Sequence, residues 1–319
     1  MQLISNDKLT FVIDLNTTFG ESLTGGLIAL HYLAFLLAEE GHNVYIFSKP
    51  EYPHPNIHTI PSFKTIDGFI NGYTFQPFTF DVNRTISIYP QITRYNPFNT
   101  KHVVRWILYH TEHDIENTYS DTDYYFNFGD FKTYKDKNYG TLTVINYNFD
   151  KFSNQDDNNR SGFCHLFHKN TPPDAQDYIK SIKSTDLDNW KLSGNFNYLN
   201  EQFNKHEYFL TFDKKSFFTV AASLCGCKSI ILNSEDHYEW ANNAYTDLYQ
   251  QEIKMKPHEY RIKNPLQMVG VAFGFEDLDW AKKTLPHAKK YHESMDNLNK
   301  DTVKNFIKFF EKKINQNEN

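Results

Sequence analysis

The chain has 319 residues, long for one hydrophobic core and comfortable for two at roughly 100–200 residues per domain. Its 28 Phe and 21 Tyr can build a large core, while 13 Gly and 12 Pro are too few for collagen-like or disordered sequence. A net charge of −6 with scattered Lys and Arg argues against nucleic acid as a partner, and no apolar run reaches the roughly 18 residues that a membrane span needs. Cys164, Cys225 and Cys227 are odd in number and too tightly spaced for a disulfide framework or a zinc finger, so they read as small buried residues. The first eight residues are polar, without a basic-then-apolar leader, so reducing cytoplasm is the expected setting. The glycosylation sequons at Asn16, Asn83 and Asn159 then read as chance.

In chain order, Leu9–Leu15 is a buried strand that empties into a loop ending Thr24-Gly25-Gly26. A helix follows to about Glu40, with Leu27, Leu30, His31, Ala34 and Leu37 on one face. Gly41 closes it, and Val44–Phe47 is the next strand, which completes a β-α-β unit. Gly20, Gly25 and Gly26 do not make the dinucleotide fingerprint, and no Gly-Lys-Ser/Thr tail follows. Residues 50–80 read as short strands and loops; Thr85–Tyr89 and Val103–Tyr109 are further strands. The second of these ends in His110-Thr111-Glu112-His113-Asp114, and titratable groups at a strand's carboxyl end are site candidates or an ordinary polar loop. Tyr124–Phe128 and Leu142–Tyr147 read as strands, and the polar run Ser153–Ser161 reads as a linker, with a boundary near residue 155.

The second half opens with a strand, Phe163–Phe167, ending in His168-Lys169-Asn170-Thr171. Its strongest stretch is His206–Leu232. Tyr208–Phe212 is a buried strand, Ser216 a helix cap, and Phe217, Val220, Ala221 and Leu224 lie at helical spacing. Gly226 stops the helix and Ser229–Leu232 is the next strand. The helix start, from Ser216 and Phe217 to Thr219, offers N–H groups and a positive dipole end to an anion, with Asp213 at the same mouth. An α/β unit without a ligand fits the same pattern. Asn233–Tyr249 reads as polar and helical, Gly270–Gly274 as a turn into a helix, and Asn299–Ile314 as a terminal amphipathic helix. Asp277-Leu278-Asp279 has metal-carboxylate spacing but precedes a helix.

The stretch from Asp213 through Ala222-Ser223-Leu224-Cys225-Gly226 into the strand Ser229–Leu232 resembles the donor half of GT-B glycosyltransferases of family 4 and its relatives. Thr24-Gly25-Gly26 and Gly41-His42-Asn43-Val44 are similar to the opening of the same fold. The pattern departs at Ala221, where the family carries a second acidic residue that usually holds the ribose. The resemblance implies an α/β chain of two Rossmann-like domains facing each other across a cleft. Residues 1–155 would be the acceptor side, 156–298 the donor domain, and 299–319 a helix crossing back to the first domain. It also implies a nucleotide-sugar donor, a glycan or other acceptor, retention of configuration, and neither metal nor cofactor. Asp213 would fix the donor sugar hydroxyls and His110 would assist at the reacting sugar, both as catalytic residues. Gly25 and Gly26 would approach phosphate or acceptor. Lys169, with Arg160 in reserve, would hold the diphosphate beside Ser216, Phe217 and Thr219, although a solvated surface Lys fits equally. Ala221 keeps open a second class, a binding protein that has lost the chemistry. A third, an oxidoreductase on two Rossmann-like units, is disfavoured by the missing fingerprint.

Overall fold

A computed structural model of the chain describes residues 8–16, 25–47, 58–61, 73–76, 81–129, 131, 133–135, 137–147, 149–155, 159–166, 175–187, 196–213, 216–232, 259, 261–262 and 268–317. It falls into two compact units, residues 1–146 with 297–319, and residues 147–296. Both are Rossmann-like α/β units built on mostly or wholly parallel sheets.

The first unit's strands are β1 (Thr10–Asp14), β2 (Asn43–Phe47), β3 (His58–Pro61), β4 (Tyr73–Gln76), β5 (Thr85–Pro90), β6 (His102–Ile107), β7 (Tyr124–Asn127) and β8 (Gly140–Thr141). They order as β4-β3-β2-β1-β5-β6-β7-β8. From β2 through β8 the neighbours are parallel, while β3 and β4 add antiparallel at one edge. Every residue of β5 and β6 is buried, as expected for a parallel sheet covered on both faces. Helix α1 (Gly25–Glu39) packs Leu30, Leu33 and Leu37 onto Phe11, Ile13 and Val44. Gly41 follows it at φ +90, a left-handed stop that a side chain would strain.

Among the described residues the unit also contains the single turn α2 (His113–Glu116) and the later part of the terminal helix, α7 (Ala288–Asn317). Val303, Phe306, Ile307, Phe310 and Ile314 of α7 join the core of α1 and β1, and Phe306 stands edge-on to Phe126 at 4.8 Å. The helix begins at Ala288, well before the apolar repeat at Asn299–Ile314. Its buried stripe passes through the polar His292 and Asn299, which masks the period.

Leu142–Tyr147, expected as a strand, is mostly buried but forms no strand of its own, although the Leu142 N–H donates to the Asn127 carbonyl at 2.9 Å. The carbonyls of Leu142, Thr143 and Ile145 accept instead from Trp106 Nε1, Thr302 Oγ1 and Asn299 Nδ2 at 2.8, 2.9 and 2.8 Å. An apolar run signals burial; only paired neighbours make a strand.

The second unit contains β9 (Phe163–His165), α3 (Ala175–Ser181), β10 (Thr185–Asp186), α4 (Phe196–Lys205), β11 (Tyr208–Thr211), α5 (Phe217–Leu224), β12 (Lys228–Ile231), β13 (Val271–Phe273) and α6 (Leu278–Thr284). Its sheet is parallel throughout, in the order β10-β9-β11-β12-β13. Ile179 of α3 and Ala281 of α6 pack on Leu210 and Ile230, while Phe203 of α4 meets the opposite-pointing Phe209 at 5.2 Å. Val271–Phe273, read as a turn, is a strand because its three residues are buried beside β12. Asn233–Tyr249 lies outside the described residues.

The units divide at 146/147 rather than near 155. Phe152 packs into the second unit against Phe196, Phe203 and Phe217, edge-on or tilted, at 5.9, 6.3 and 5.9 Å. The polar residues after it bond to α4, with Gln155 N donating to Asn204 Oδ1 at 2.9 Å. Polarity there reflects hydrogen bonding to a helix, not a free linker.

Two histidines make stability depend on pH. His31 of α1, 4% exposed, donates Nδ1–H to the Leu27 carbonyl, and His292, fully buried, has no hydrogen-bond partner among the described residues on either ring nitrogen. Burial pushes both pKa values down from 6.5 to about 4. The unfolded chain therefore takes up protons that the folded chain refuses. Stability holds above pH 6.5 and falls as pH drops from 6.5 toward 4. Thermal melts across that window should show a shallower loss in His292→Phe than in the parent; equal slopes would remove His292 as a contributor.

Candidate functional site

In the second unit the chain runs from β9 out to β10, then returns across β9 to β11, so the strand order reverses between β9 and β11. Ligands of open parallel sheets collect outside the carboxyl ends at such a switch point. Asp213 stands there, two residues past β11 and only 7% exposed, with its N–H donating to Thr211 Oγ1 at 3.1 Å. The helix beyond it is capped by Ser216, whose Oγ accepts the Phe218 N–H at 3.1 Å from an extended backbone. Asp213 is therefore not the cap, and the Phe218 N–H is already engaged. Thr219 is fully buried and donates Oγ1–H to the Ser216 carbonyl at 2.7 Å, which tightens the first turn. The Phe217 ring packs among Phe152, Phe196 and Phe218, so only its backbone could face a ligand.

Ala221, at the position of the second acid, is fully buried. A carboxylate there would have to be held in the interior of the unit, away from solvent. Lys169 lies outside the described residues. Arg160, the reserve for the diphosphate, serves elsewhere. Its guanidinium donates to the Phe203 and Cys225 carbonyls at 2.7 and 2.6 Å and to Asn154 and Asn204. It thus caps the carboxyl ends of α4 and α5 at the amino side of the sheet, where a cation complements both helix dipoles. Asp277 is likewise structural: it accepts the Phe273 N–H at 2.9 Å and pairs with Arg261. Among the described residues no group of three His, Cys, Asp or Glu could hold a metal ion. The three cysteines are buried thiols, and burial pushes those of Cys164 and Cys225 up.

In the first unit the order reverses between β1 and β5. Asp14 ends β1 there, 4% exposed, and its carboxylate accepts from Asn16 N–H and Thr93 Oγ1–H at 2.9 Å each. Gly25 and Gly26 form the start of α1, exposed and half-buried, beyond a loop outside the described residues. His110 follows β6, half-buried, its ring edge-on to Phe131 at 5.1 Å and 5.4 Å from Tyr109. Asp213 and His110 belong to different units, each at the carboxyl end of its own sheet.

A buried ion pair in the first unit has no local signature of its pairing in the sequence. Arg105, 1% exposed in the middle of β6, pairs with Asp123 at 2.7 Å and donates to the Thr93 and Tyr95 carbonyls. Its guanidinium lies over Tyr119 and Tyr89 at 4.3 and 5.0 Å. Tyr119 OH donates to the Gln91 carbonyl, so three carbonyls of the loop after β5 are held from inside. That loop carries Tyr95 at φ +57 and 67% exposed, an uncommon conformation for a bulky residue. On the neighbouring side the buried Glu116 accepts the N–H groups of Tyr134 and Lys135, each at 2.7 Å. The available signal was an Arg inside the apolar run Val103–Tyr109, since a charge in a buried strand requires a partner. Two loops at this carboxyl edge are thus fixed by buried charges.

No family model matches the chain, and no curated protein matches it.

Proposed function

We propose that the chain is a GT-B glycosyltransferase that moves a sugar from a nucleotide-sugar donor to a glycan or other acceptor, without a metal and with retention. The observation that supports this reading is the buried Asp213 beside the start of α5 at the switch point of a parallel sheet. On this reading Asp213 accepts hydrogen bonds from the donor sugar's hydroxyls. The positive end of the α5 dipole and Lys169 offset the leaving diphosphate. In the first unit, Gly25 and Gly26 leave room for a ligand to approach the backbone, and His110 supplies a polar group to the reacting sugar. The reading of a sugar-nucleotide binder without turnover is favoured by one observation, the buried Ala221 where the second acid would stand.

Asp213→Asn separates these readings, because Ser216 rather than Asp213 caps α5 and the change leaves the helix intact. Nucleoside diphosphate affinity should stay nearly unchanged, while sugar-nucleotide affinity or turnover should fall by about 1.5–3 kcal/mol, the worth of a hydrogen bond to a charged group. Calorimetric titration of both ligands against parent and variant checks this. An equal effect on the two removes Asp213 from the sugar site. Absence of any nucleotide binding by the parent ends the transferase reading. Tight donor binding without nucleoside diphosphate release, against a broad acceptor mixture, selects the binder.

A further inference from the structure

Three side chains of the second unit meet across β9 and β10: Ser184, His165 and Asp186. The two strands pair in parallel, with Asp186 opposite His165. Ser184 precedes β10 and is two residues from Asp186, so their side chains share a face. His165 Nδ1 and Ser184 Oγ are 3.0 Å apart, and His165 Nε2 lies 3.9 Å from Asp186 Oδ1. Lys183, at φ +52, turns the chain out of α3 and sets Ser184 down beside β9. Among the described residues β10 is the edge of this sheet, and exposure rises toward it. His165 is 5% exposed, Ser184 is half-buried and the Asp186 side chain is 60% exposed. The serine thus touches solvent while the ring is held in place.

The carboxylate decides how the ring uses its two nitrogens. A proton on Nε2 faces the negative charge of Asp186 and is favoured there, which leaves the Nδ1 lone pair to accept from Ser184 Oγ–H. When Nδ1 takes the proton, the imidazolium that forms stands beside Asp186, which offsets its charge. A hydroxyl within hydrogen-bond reach of a base, with the base oriented by a third group, is the arrangement that activates a nucleophile. The sugar-nucleotide reading uses none of these three residues.

We propose that Ser184 is a nucleophile for acyl transfer from small uncharged esters, with His165 its general base and Asp186 the positioning group. Ser184 Oγ bonds to the ester's carbonyl carbon while its proton passes to His165 Nδ1. The tetrahedral adduct then breaks its bond to the alcohol, which leaves with that proton. Water attacks the acyl-serine in the same way and gives a proton to Nδ1. The acid is released as Ser184 recovers that proton. Small size follows from the half-buried Ser184, and neutrality from the Asp186 carboxylate on the solvent side. This activity goes beyond the transferase reading and does not depend on it.

A fluorophosphonate carrying a fluorescent tag tests this on the full chain, because it forms a P–O bond to an activated serine as fluoride leaves. Peptide mass mapping should place one tag per chain on Ser184, and Ser184→Ala should remove it. The parent should hydrolyse p-nitrophenyl acetate above the rate of Ser184→Ala. Labelling should slow by about a hundredfold or more in His165→Gln, as loss of a general base does. Asp186→Ala should slow it several-fold and Asp186→Glu should recover most of the rate, a rescue that a change in stability alone would not give. Ser184→Ala loses one half-buried hydroxyl and keeps the fold, so it decides the matter where His165→Gln does not fold. No tag, a tag elsewhere, or labelling at the parent's rate in a folded His165→Gln overturns the proposal. Equal rates in Asp186→Ala and the parent remove Asp186 from it. Nucleotide is absent throughout, so the result stands whether or not the transferase reading does.

Discussion

Asp123→Ala should destabilise the protein by about 3–5 kcal/mol, the cost typical of leaving a buried charge without its partner. Arg105 and Asp123 are 1% and 2% exposed and meet at 2.7 Å. The Arg105 guanidinium also serves the Thr93 and Tyr95 carbonyls and lies over two tyrosine rings. Removing the carboxylate leaves the cation with carbonyl and ring partners only, and frees the Ser120 N–H that also donates to Asp123. The double variant Arg105→Met/Asp123→Leu should be less destabilised than Asp123→Ala alone, because no unpaired charge stays behind. Denaturant melts of the two variants check the sign. A double variant that costs as much as the sum of the singles would mean that the pair does not interact as the structure shows.

Ala221→Glu is expected to be at least as damaging, by roughly 3–5 kcal/mol, because it places a carboxylate at a fully buried position. Ala221 is fully exposure-free within α5, and its neighbour Ala222 is equally buried. On the pattern of the resembling transferases, the acid at this position would help a sugar-nucleotide site. In this chain it should lower the melting temperature without strengthening nucleotide binding. A soluble variant that melts with the parent and gains affinity would show that this face of α5 is open to the ligand, contrary to its burial.

The elements of the second unit from Tyr208 to Ile231 were legible because every local signal agreed. A β-branched and aromatic run, a Ser cap, helical apolar spacing and a Gly stop lie within a short stretch, and α5 begins and ends where they point. The first β-α-β unit was legible for the same reason, with Gly41 in the left-handed conformation that its position implied. Legibility failed where packing replaced pattern. The polar residues after Phe152 resembled a linker but bond to α4, and the early turns of α7 bury His292 and Asn299, which no hydrophobic period records.

By itself the sequence determined the α/β class, the two β-α-β units and the placing of Asp213 and Ser216 at a helix mouth, because these follow from periodicity and turn chemistry within a few residues. Only the tertiary structure decided that Asp213 sits at a switch point, since strand order depends on which distant strands pair. It likewise decided that Arg160 closes two helix ends, that Ala221 is fully buried, and that Arg105 meets Asp123. Each of those facts joins residues far apart in the chain, and long-range partners are chosen by burial and charge compensation in three dimensions, which local spacing does not encode.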